Sequence, residues 1–135
     1  MPRAGSVSPG AVTMLQERQY AHMVTLMPDG SPQATVVWID VEPDGGHILV
    51  NSSENRLKTR NLRRDPRVSV SVVDPQNSRR FVILRGQVVE IRKTGAPEHY
   101  RALSLKYNGR ESDRGDLDDR LILRIKPDHV VERGV

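Results

Sequence analysis

A mainly β fold, a small antiparallel barrel of six strands with flanking helices, is predicted by three features of the sequence. Residues 68–72 alternate valine and serine, which is the two-residue period of a strand with one buried face. Turns containing Pro, Asp and Gly at 28–31 and 43–46 join neighbouring segments as hairpins. At 135 residues the chain is long enough for one core and short for two. We therefore expect a single domain over residues 1–135, with 1–7 as a flexible tail.

The remaining elements follow from the same periodicities. Strands are predicted at 20–27, 32–41, 47–50, 68–72, 80–91 and 121–125, and helices near 9–19, 52–64 and 98–107. The second strand is apolar on both faces, which predicts a central place in the sheet. Gly86 inside the fifth strand predicts a bulge or a close backbone approach. The polar segment 108–119 is expected to be a surface loop, interpreted either as a lid or as a loop without function.

A short basic helix is the most distinctive predicted element. Asn51, Ser52 and Ser53 are expected to cap it, because their side-chain oxygens accept from the unpaired N–H groups of a first helical turn. The helix must end at Asp65, since a residue before proline avoids the α region. It carries five cations, namely Arg56, Lys58, Arg60, Arg63 and Arg64. Cations beside a helix N-terminus predict a phosphate site, and a solvated basic face is the alternative.

Composition excludes several classes of function. The chain contains no cysteine, so disulfides, thiol catalysis, iron–sulfur centres and cysteine zinc sites are excluded, and we predict no metal site. No apolar run approaches the roughly 18 residues of a membrane span, and the N-terminus lacks a signal core, so we expect a cytoplasmic protein without a membrane partner. A hydrophobic fraction of 36% is modest for a lone globule, which predicts a homodimer.

The net charge of +4 raises nucleic acid as a partner. Against that interpretation, three Tyr, one Phe and one Trp are too few to form a stacking platform for single strands. We therefore predict no nucleic-acid partner, and a small basic barrel that binds nucleic acid remains an alternative resting on charge alone.

The run ILVNSSENRLKTRNLRRDPRVSVSV resembles the cofactor-phosphate segment of the split β-barrel flavin and deazaflavin proteins. This superfamily includes the pyridoxamine 5′-phosphate oxidases and, more similar to this chain, the F-420-dependent reductases. The hairpin TLMPDGSPQATVVWIDV and the later RRFVILRGQVVEI extend the resemblance over about two thirds of the chain. It implies an FMN-binding, pyridoxamine 5′-phosphate oxidase-like split barrel as the fold. It also implies a cofactor bound at the interface of a homodimer.

The resemblance also implies roles for particular residues. Arg56 and Lys58 match positions that hold the cofactor phosphate, with Arg60 a less certain third. Asn51 and Ser52, at the end of the third strand, match small polar residues of the family. Gln33, Thr35 and Val36 match the strand against which the ring lies. Arg80 matches a region that, in flavin relatives, reaches the cofactor from the partner subunit.

Two departures from the flavin oxidases argue against pyridoxamine phosphate as the substrate. The flavin oxidases begin the ring-contacting strand with arginine, whereas this strand begins with Pro32 and Gln33. They also end with a tryptophan and an arginine that hold pyridoxal phosphate, and residues 129–133 here read HVVER. The Leu57 between Arg56 and Lys58 is more similar to the deazaflavin branch.

The resulting hypothesis is an oxidoreductase that uses reduced F-420 to transfer hydride to an unsaturated organic substrate. The cofactor carries the chemistry, so the protein need only bind, orient and leave one ring face open. Tyr100, Tyr107 and His129 are candidate proton donors, and His22 is a candidate ligand or base. The alternatives are an FMN-dependent oxidase or reductase and a non-enzymatic carrier of F-420 or flavin.

Overall fold

The computed structural model describes residues 2–135, and these form eight strands and three helices. In chain order the elements are β1 (Pro2–Arg3), α1 (Pro9–Gln16), β2 (Tyr20–Leu26), β3 (Pro32–Trp38), β4 (Asp40–Val41), β5 (Ile48–Ser53), α2 (Leu57–Arg64), β6 (Arg67–Asp74), β7 (Asn77–Arg92), α3 (Ala96–Asn108) and β8 (Arg120–Arg133). The six longer strands correspond to the six predicted ones. The predicted second strand, 32–41, is interrupted at Ile39, so that Asp40–Val41 form the separate strand β4, and β1 was not predicted.

All strands pair antiparallel in one curled sheet with the order β3-β2-β6-β7-β8-β5-β4, and β1 pairs with β8. The two ends of this order, β3 and β4, are separated in the chain by Ile39 alone. Chain connectivity therefore brings the two edges of the sheet together, and the sheet curls into a half-barrel. The mainly β split-barrel fold with flanking helices is confirmed.

The core lies inside the curl, where alternate residues of the strands meet. Val68, Val70 and Val72 of β6 are each at most 4% exposed, as their two-residue period predicted. Most of β3 is exposed, and Val36 on its outer face is 59% exposed. The prediction that this strand is central is wrong, because β3 is an edge strand in the sheet.

Gly86 lies where the long strands β7 and β8 approach most closely. It pairs with Pro127, the register shifts between Arg85 and Gly86, and a Cβ added at Gly86 would lie 1.9 Å from the Lys126 carbonyl oxygen. The predicted bulge and close approach are both confirmed. The last strand was predicted to span 121–125, but the irregularity accommodates Pro127 and β8 continues to Arg133.

The N-terminal segment pairs with the sheet. Pro2 and Arg3 lie opposite Val131 and Val130 of β8, and the Gly5 N–H donates to the Pro127 carbonyl. Val7 is 2% exposed and lies in the core. The prediction of a flexible tail is therefore wrong for residues 2–7, because the tail is held by backbone hydrogen bonds and one apolar anchor; Met1 lies outside the described residues.

Helix α3 is fastened to the chain segment between the sheet edges. The Tyr107 hydroxyl accepts from the Ile39 N–H at 2.9 Å and donates to the Gln19 carbonyl. The Lys106 ammonium donates to the carbonyls of Ile39 at 2.6 Å and Leu15 at 2.8 Å. Burial lowers the pKa of Lys106 to about 8, opposed by the nearby Asp40 carboxylate. A neutral amine still has two N–H donors, so both carbonyls remain satisfied after deprotonation.

Replacing Gly86 by Ala is expected to lower the free energy of unfolding by about 1 to 3 kcal/mol, because the added methyl group meets the β8 backbone. Urea denaturation measures the change. Gly115→Ala is the matched control, since nothing lies within 4 Å of a Cβ there. Equal stability of the two variants would contradict the close approach.

The pKa of Lys106 predicts how stability changes in alkaline solution. Between about 8 and its ordinary value of 10.5, the unfolded chain binds more protons at this residue than the folded chain does. The free energy of unfolding should therefore rise with pH across this window more in the native protein than in Lys106→Met. Urea midpoints across the window measure the two slopes. Lys126→Met on the exposed side of β8 is the control, and parallel curves for the native protein and Lys106→Met would refute the prediction.

Candidate functional site

The end of β5 and the start of α2 form one side of a cleft. Helix α2 begins at Leu57, with Arg56 at the N-cap position and no side-chain capping bond. The prediction that Asn51, Ser52 and Ser53 cap this helix is wrong, because all three still belong to β5. The Ser52 hydroxyl instead lies 2.8 Å from the Thr59 hydroxyl, in a buried contact that fastens the strand to the helix.

The cleft has a volume of about 240 Å³ and lies between β3, β5, α2, α3 and the start of β8. Its lining consists of Thr35, Val36, Val37, Trp38, Asn51, Ser52, Arg56, Lys58, Tyr100, Leu103 and Arg120. Consecutive residues of a strand point to opposite faces. Because four consecutive residues of β3 line the cleft, it meets this strand at its edge, where β3 has no neighbouring strand.

Three cations and no carboxylate line the cleft. Among the residues described, no Asp or Glu forms an ion pair with Arg56, Lys58 or Arg120. Burial, together with the charges of Arg56 and Arg120, lowers the pKa of Lys58. Uncompensated positive charge in a partly buried cleft favours an anionic ligand, since the ligand would relieve the repulsion.

An aromatic wall faces this cluster of cations. Trp38 stacks on Tyr107 with ring centroids 5.0 Å apart and planes inclined by 5°, and on Tyr100 at 6.3 Å and 29°. The Arg120 guanidinium carbon lies 4.6 Å from the centre of the Tyr100 ring. The cleft thus combines flat apolar surface, an open strand edge and positive charge. This arrangement suits a ring with an acidic tail.

Six of the nine residues predicted to bind a cofactor line the cleft, namely Thr35, Val36, Asn51, Ser52, Arg56 and Lys58. The other three do not line it in this chain. Gln33 is exposed and its amide donates to the Ala34 carbonyl, and Arg60 is exposed on α2. Arg80 forms ion pairs with Glu17 at 2.8 Å and Asp74 at 2.9 Å.

Arg120 is the main lining residue that the sequence did not indicate. It belongs to no recognisable motif, and it reaches the cleft because β8 pairs with β5, which places Arg120 opposite Ser53. Trp38, Val37 and Leu103 were missed as well. Trp38 lies in the predicted ring-contacting strand, so the extent of that strand is the signal that could have identified it.

The candidate proton donors are distributed differently from the prediction. Tyr100 lines the cleft, but Tyr107 is 1% exposed, and burial raises its pKa to about 12. The proposal that Tyr107 protonates a substrate is therefore wrong, because its hydroxyl is occupied by backbone partners. His129 pairs opposite Arg85, and His22 lies on the outer face of β2 opposite Val36 and Ser71. Neither histidine lines the cleft.

The segment 109–119 between α3 and β8 is anchored beside Arg120. Leu117 is 3% exposed, and Arg114 donates to both Asp119 carboxylate oxygens at 2.9 and 3.0 Å. Within residues 2–135 no cluster of three potential metal ligands is present. The same residues contain no helix with the length and hydropathy needed to cross a bilayer.

A curled antiparallel sheet with a cationic cleft at its open edge defines the split β-barrel class. Residues 8–134 match the model of the pyridoxamine 5′-phosphate oxidase family, and the chain belongs to that family. A solved structure described as an F-420 reductase is 30% identical with a TM-score of 0.82, covering 93% of this chain and 98% of its own. This similarity supports the F-420 reductase branch.

Two further structures extend the comparison. A conserved hypothetical protein from Mycobacterium tuberculosis is 26% identical with a TM-score of 0.67, and the alignment covers 95% of this chain and 86% of that one. General Stress Protein 26 from Bacillus anthracis str. Sterne is 16% identical with a TM-score of 0.72, covering 93% and 92%. At that identity the likeness concerns the fold alone.

Proposed function

We propose that this protein is an oxidoreductase that binds reduced F-420 in the cleft and transfers hydride to an unsaturated organic substrate. The observation that carries the proposal is the group of three unpaired cations, Arg56, Lys58 and Arg120, beside the open edge of β3. The similarity to an F-420 reductase at 30% identity supports the choice of cofactor.

The residues in the cleft fit such a cofactor. Thr35 and Val36 on the open edge of β3 would hold the ring, and the edge offers backbone donors and acceptors that pair with no other strand among residues 2–135. Arg56 and Lys58 would bind the anionic tail, with Asn51 and Ser52 beside them. Arg60 and Gln33 lie outside the lining, so their proposed contacts require a ligand that extends beyond it.

When bound, F-420 supplies the hydride, so the chain's part is to bind, orient and exclude water. Trp38 gives the cleft a rigid apolar wall, because it stacks on the rings of Tyr100 and Tyr107. Tyr100 is the hydroxyl among the candidate donors that lies at the cleft, and we propose it as the proton donor to a reduced substrate.

A homodimer is part of the proposal. Val36, Val73 and Ile83 are 59%, 49% and 43% exposed on the outer face of the sheet. Val73 pairs with Phe81 and lies beside Ile83 on that face, and Val36 lies across His22 and Ser71 from Ile83; a second copy would cover this region. For Arg80 to reach a cofactor in the partner subunit, it would have to leave both Glu17 and Asp74.

FMN is the second candidate cofactor, because the family model that matches residues 8–134 is that of pyridoxamine 5′-phosphate oxidase. A carrier that holds F-420 or flavin without catalysis is the third, since Tyr100 is the one candidate acid or base within the described lining of the cleft. Hydride transfer to any acceptor would exclude the carrier.

Titration with F-420 and with FMN tests the choice of cofactor. Trp38 is the single tryptophan of the chain and lines the cleft, so quenching of its fluorescence reports binding. We expect tighter binding of F-420 than of FMN. An F-420 dissociation constant in the millimolar range or weaker would count against the proposal, and tight FMN binding would favour the flavin alternative.

Replacing both Arg56 and Lys58 by Ala is expected to weaken F-420 binding by about 2 to 5 kcal/mol, because each cation would lose a charge-assisted hydrogen bond. Little loss of stability is expected, since neither residue has an ion-pair partner among residues 2–135. Arg63→Ala on the same helix is the control, because Arg63 pairs with Glu54 outside the cleft. Loss of folding with unchanged affinity would show that the two residues are structural.

A further inference from the structure

Arg120 is held at the cleft by one specific hydrogen bond. Arg120 is 7% exposed, and its Nε donates to the Asn51 Oδ1 at 2.7 Å. In the part of the chain that the structure describes, its two terminal nitrogens donate to no protein acceptor. A largely buried guanidinium whose terminal donors are open to the cleft can bind a partner from outside the chain.

The carboxylate nearest to Arg120 in sequence, that of Asp119, forms no ion pair with it among the described residues. Asp119 precedes it, and its charge acts to raise the pKa of Arg120, although burial has the larger effect and lowers it. Both carboxylate oxygens of Asp119 accept from Arg114. Arg114 therefore neutralises the acid that would otherwise compete for Arg120.

Asn51 is held in one orientation by its own partners. Its Nδ2 donates to the Ala96 carbonyl at 3.0 Å and lies 3.1 Å from the His99 Nδ1. An amide nitrogen has two N–H donors, and these two acceptors use both. The amide oxygen must then face Arg120, because a flipped amide would set its N–H groups against the Arg120 Nε–H and its oxygen against the Ala96 carbonyl oxygen.

His99 is held in turn by Asp40. The His99 Nε2 lies 3.0 Å from the Asp40 Oδ2, and the His99 side chain is 10% exposed. Because Nδ1 accepts from Asn51, the proton of a neutral ring is on Nε2 and is donated to the carboxylate. Burial opposes the ionisation of Asp40, but hydrogen bonds from His99 and Val41 outweigh it, and the pKa of Asp40 lies below its ordinary value.

We propose that Asp40, His99 and Asn51 form a relay that positions Arg120 as an anion-binding residue of the cleft. Asp40 selects the His99 tautomer, His99 orients the Asn51 amide, and the amide oxygen holds the Arg120 Nε. The terminal nitrogens are left free for a phosphate or carboxylate oxygen of the ligand. His99 and Asp40 lie outside the lining of the cleft, so they act through Arg120. The identity of the ligand as F-420 rests on the proposed function, whereas the relay does not.

Nuclear magnetic resonance of the ligand-free protein tests the relay. We expect nitrogen shifts of His99 that place its proton on Nε2, and an Arg120 Nε–H that exchanges slowly with water. In His99→Ala that exchange should accelerate, and in His47→Ala it should not, because His47 pairs with Glu42 away from the cleft. A proton on Nδ1 in the native protein would overturn the relay, even if the variant failed to fold.

Inorganic pyrophosphate tests the role of Arg120 without the cofactor. We expect it to shift the Arg120 Nε–H signal and to leave that of Arg124 unchanged. Arg124 lies four residues further along β8 and pairs with Glu42. No shift at Arg120 would remove its anion-binding role.

A double-mutant cycle with F-420 tests the coupling. His99→Ala should weaken binding roughly tenfold in the native background and leave it unchanged in an Arg120→Met background, because methionine has no N–H for Asn51 to hold. Arg124→Met is the matched control. Additive losses would overturn the relay. If the native protein binds neither F-420 nor FMN, the proposed function fails, and the resonance measurements still decide the relay.

Discussion

The peptide group of Ile39 is the point on which the arrangement of this protein depends. Ile39 alone separates the two edge strands of the sheet, and its N–H and carbonyl are both held by helix α3, through Tyr107 and Lys106. These bonds hold the curl of the sheet at the place where its edges meet. The open edge of β3 therefore stands beside the end of β5, and the space between them is the cleft.

Helix α3 links this structural constraint to the binding site. Its residues Tyr107 and Leu103 are buried, and Tyr107 stacks on Trp38. Tyr100 of the same helix contacts both Trp38 and Arg120. The helix that fastens the sheet thus also forms the aromatic wall of the cleft. A change that loosens the helix should affect stability and ligand binding together.

Charge is distributed unevenly over the surface. Outside the cleft, Arg63, Arg80 and Arg124 have carboxylate partners, whereas others such as Arg18 and Arg101 form no ion pair among the described residues. Inside it, Arg56, Lys58 and Arg120 have none among the described residues. Unpaired cations in proximity destabilise a fold, so their grouping is better explained by ligand binding than by folding. Arg80 belongs to the paired group, because Glu17 and Asp74 both bind its guanidinium.

Local sequence patterns determined the type of most elements, because periodicity and turn chemistry act between near neighbours. The valine–serine alternation of β6, the irregularity at Gly86 and the basic helix ending before Pro66 were all readable in this way. Resemblance to a known phosphate-binding segment identified Arg56 and Lys58 as cleft residues. The start of the basic helix could not be predicted from the local pattern, since Ser52 bonds to Thr59 instead of capping the first turn.

Contacts between distant segments were decided by the tertiary structure alone. Pairing of β5 with β8 brings Arg120 to Asn51, which is 69 residues away in sequence. Packing of α3 brings His99 to Asp40, and the β1 pairing holds a tail that has no strand pattern of its own. Such contacts depend on how the whole sheet curls, and no local periodicity encodes that. The sequence by itself therefore determined the strands and the basic segment, while the fold decided which cations meet.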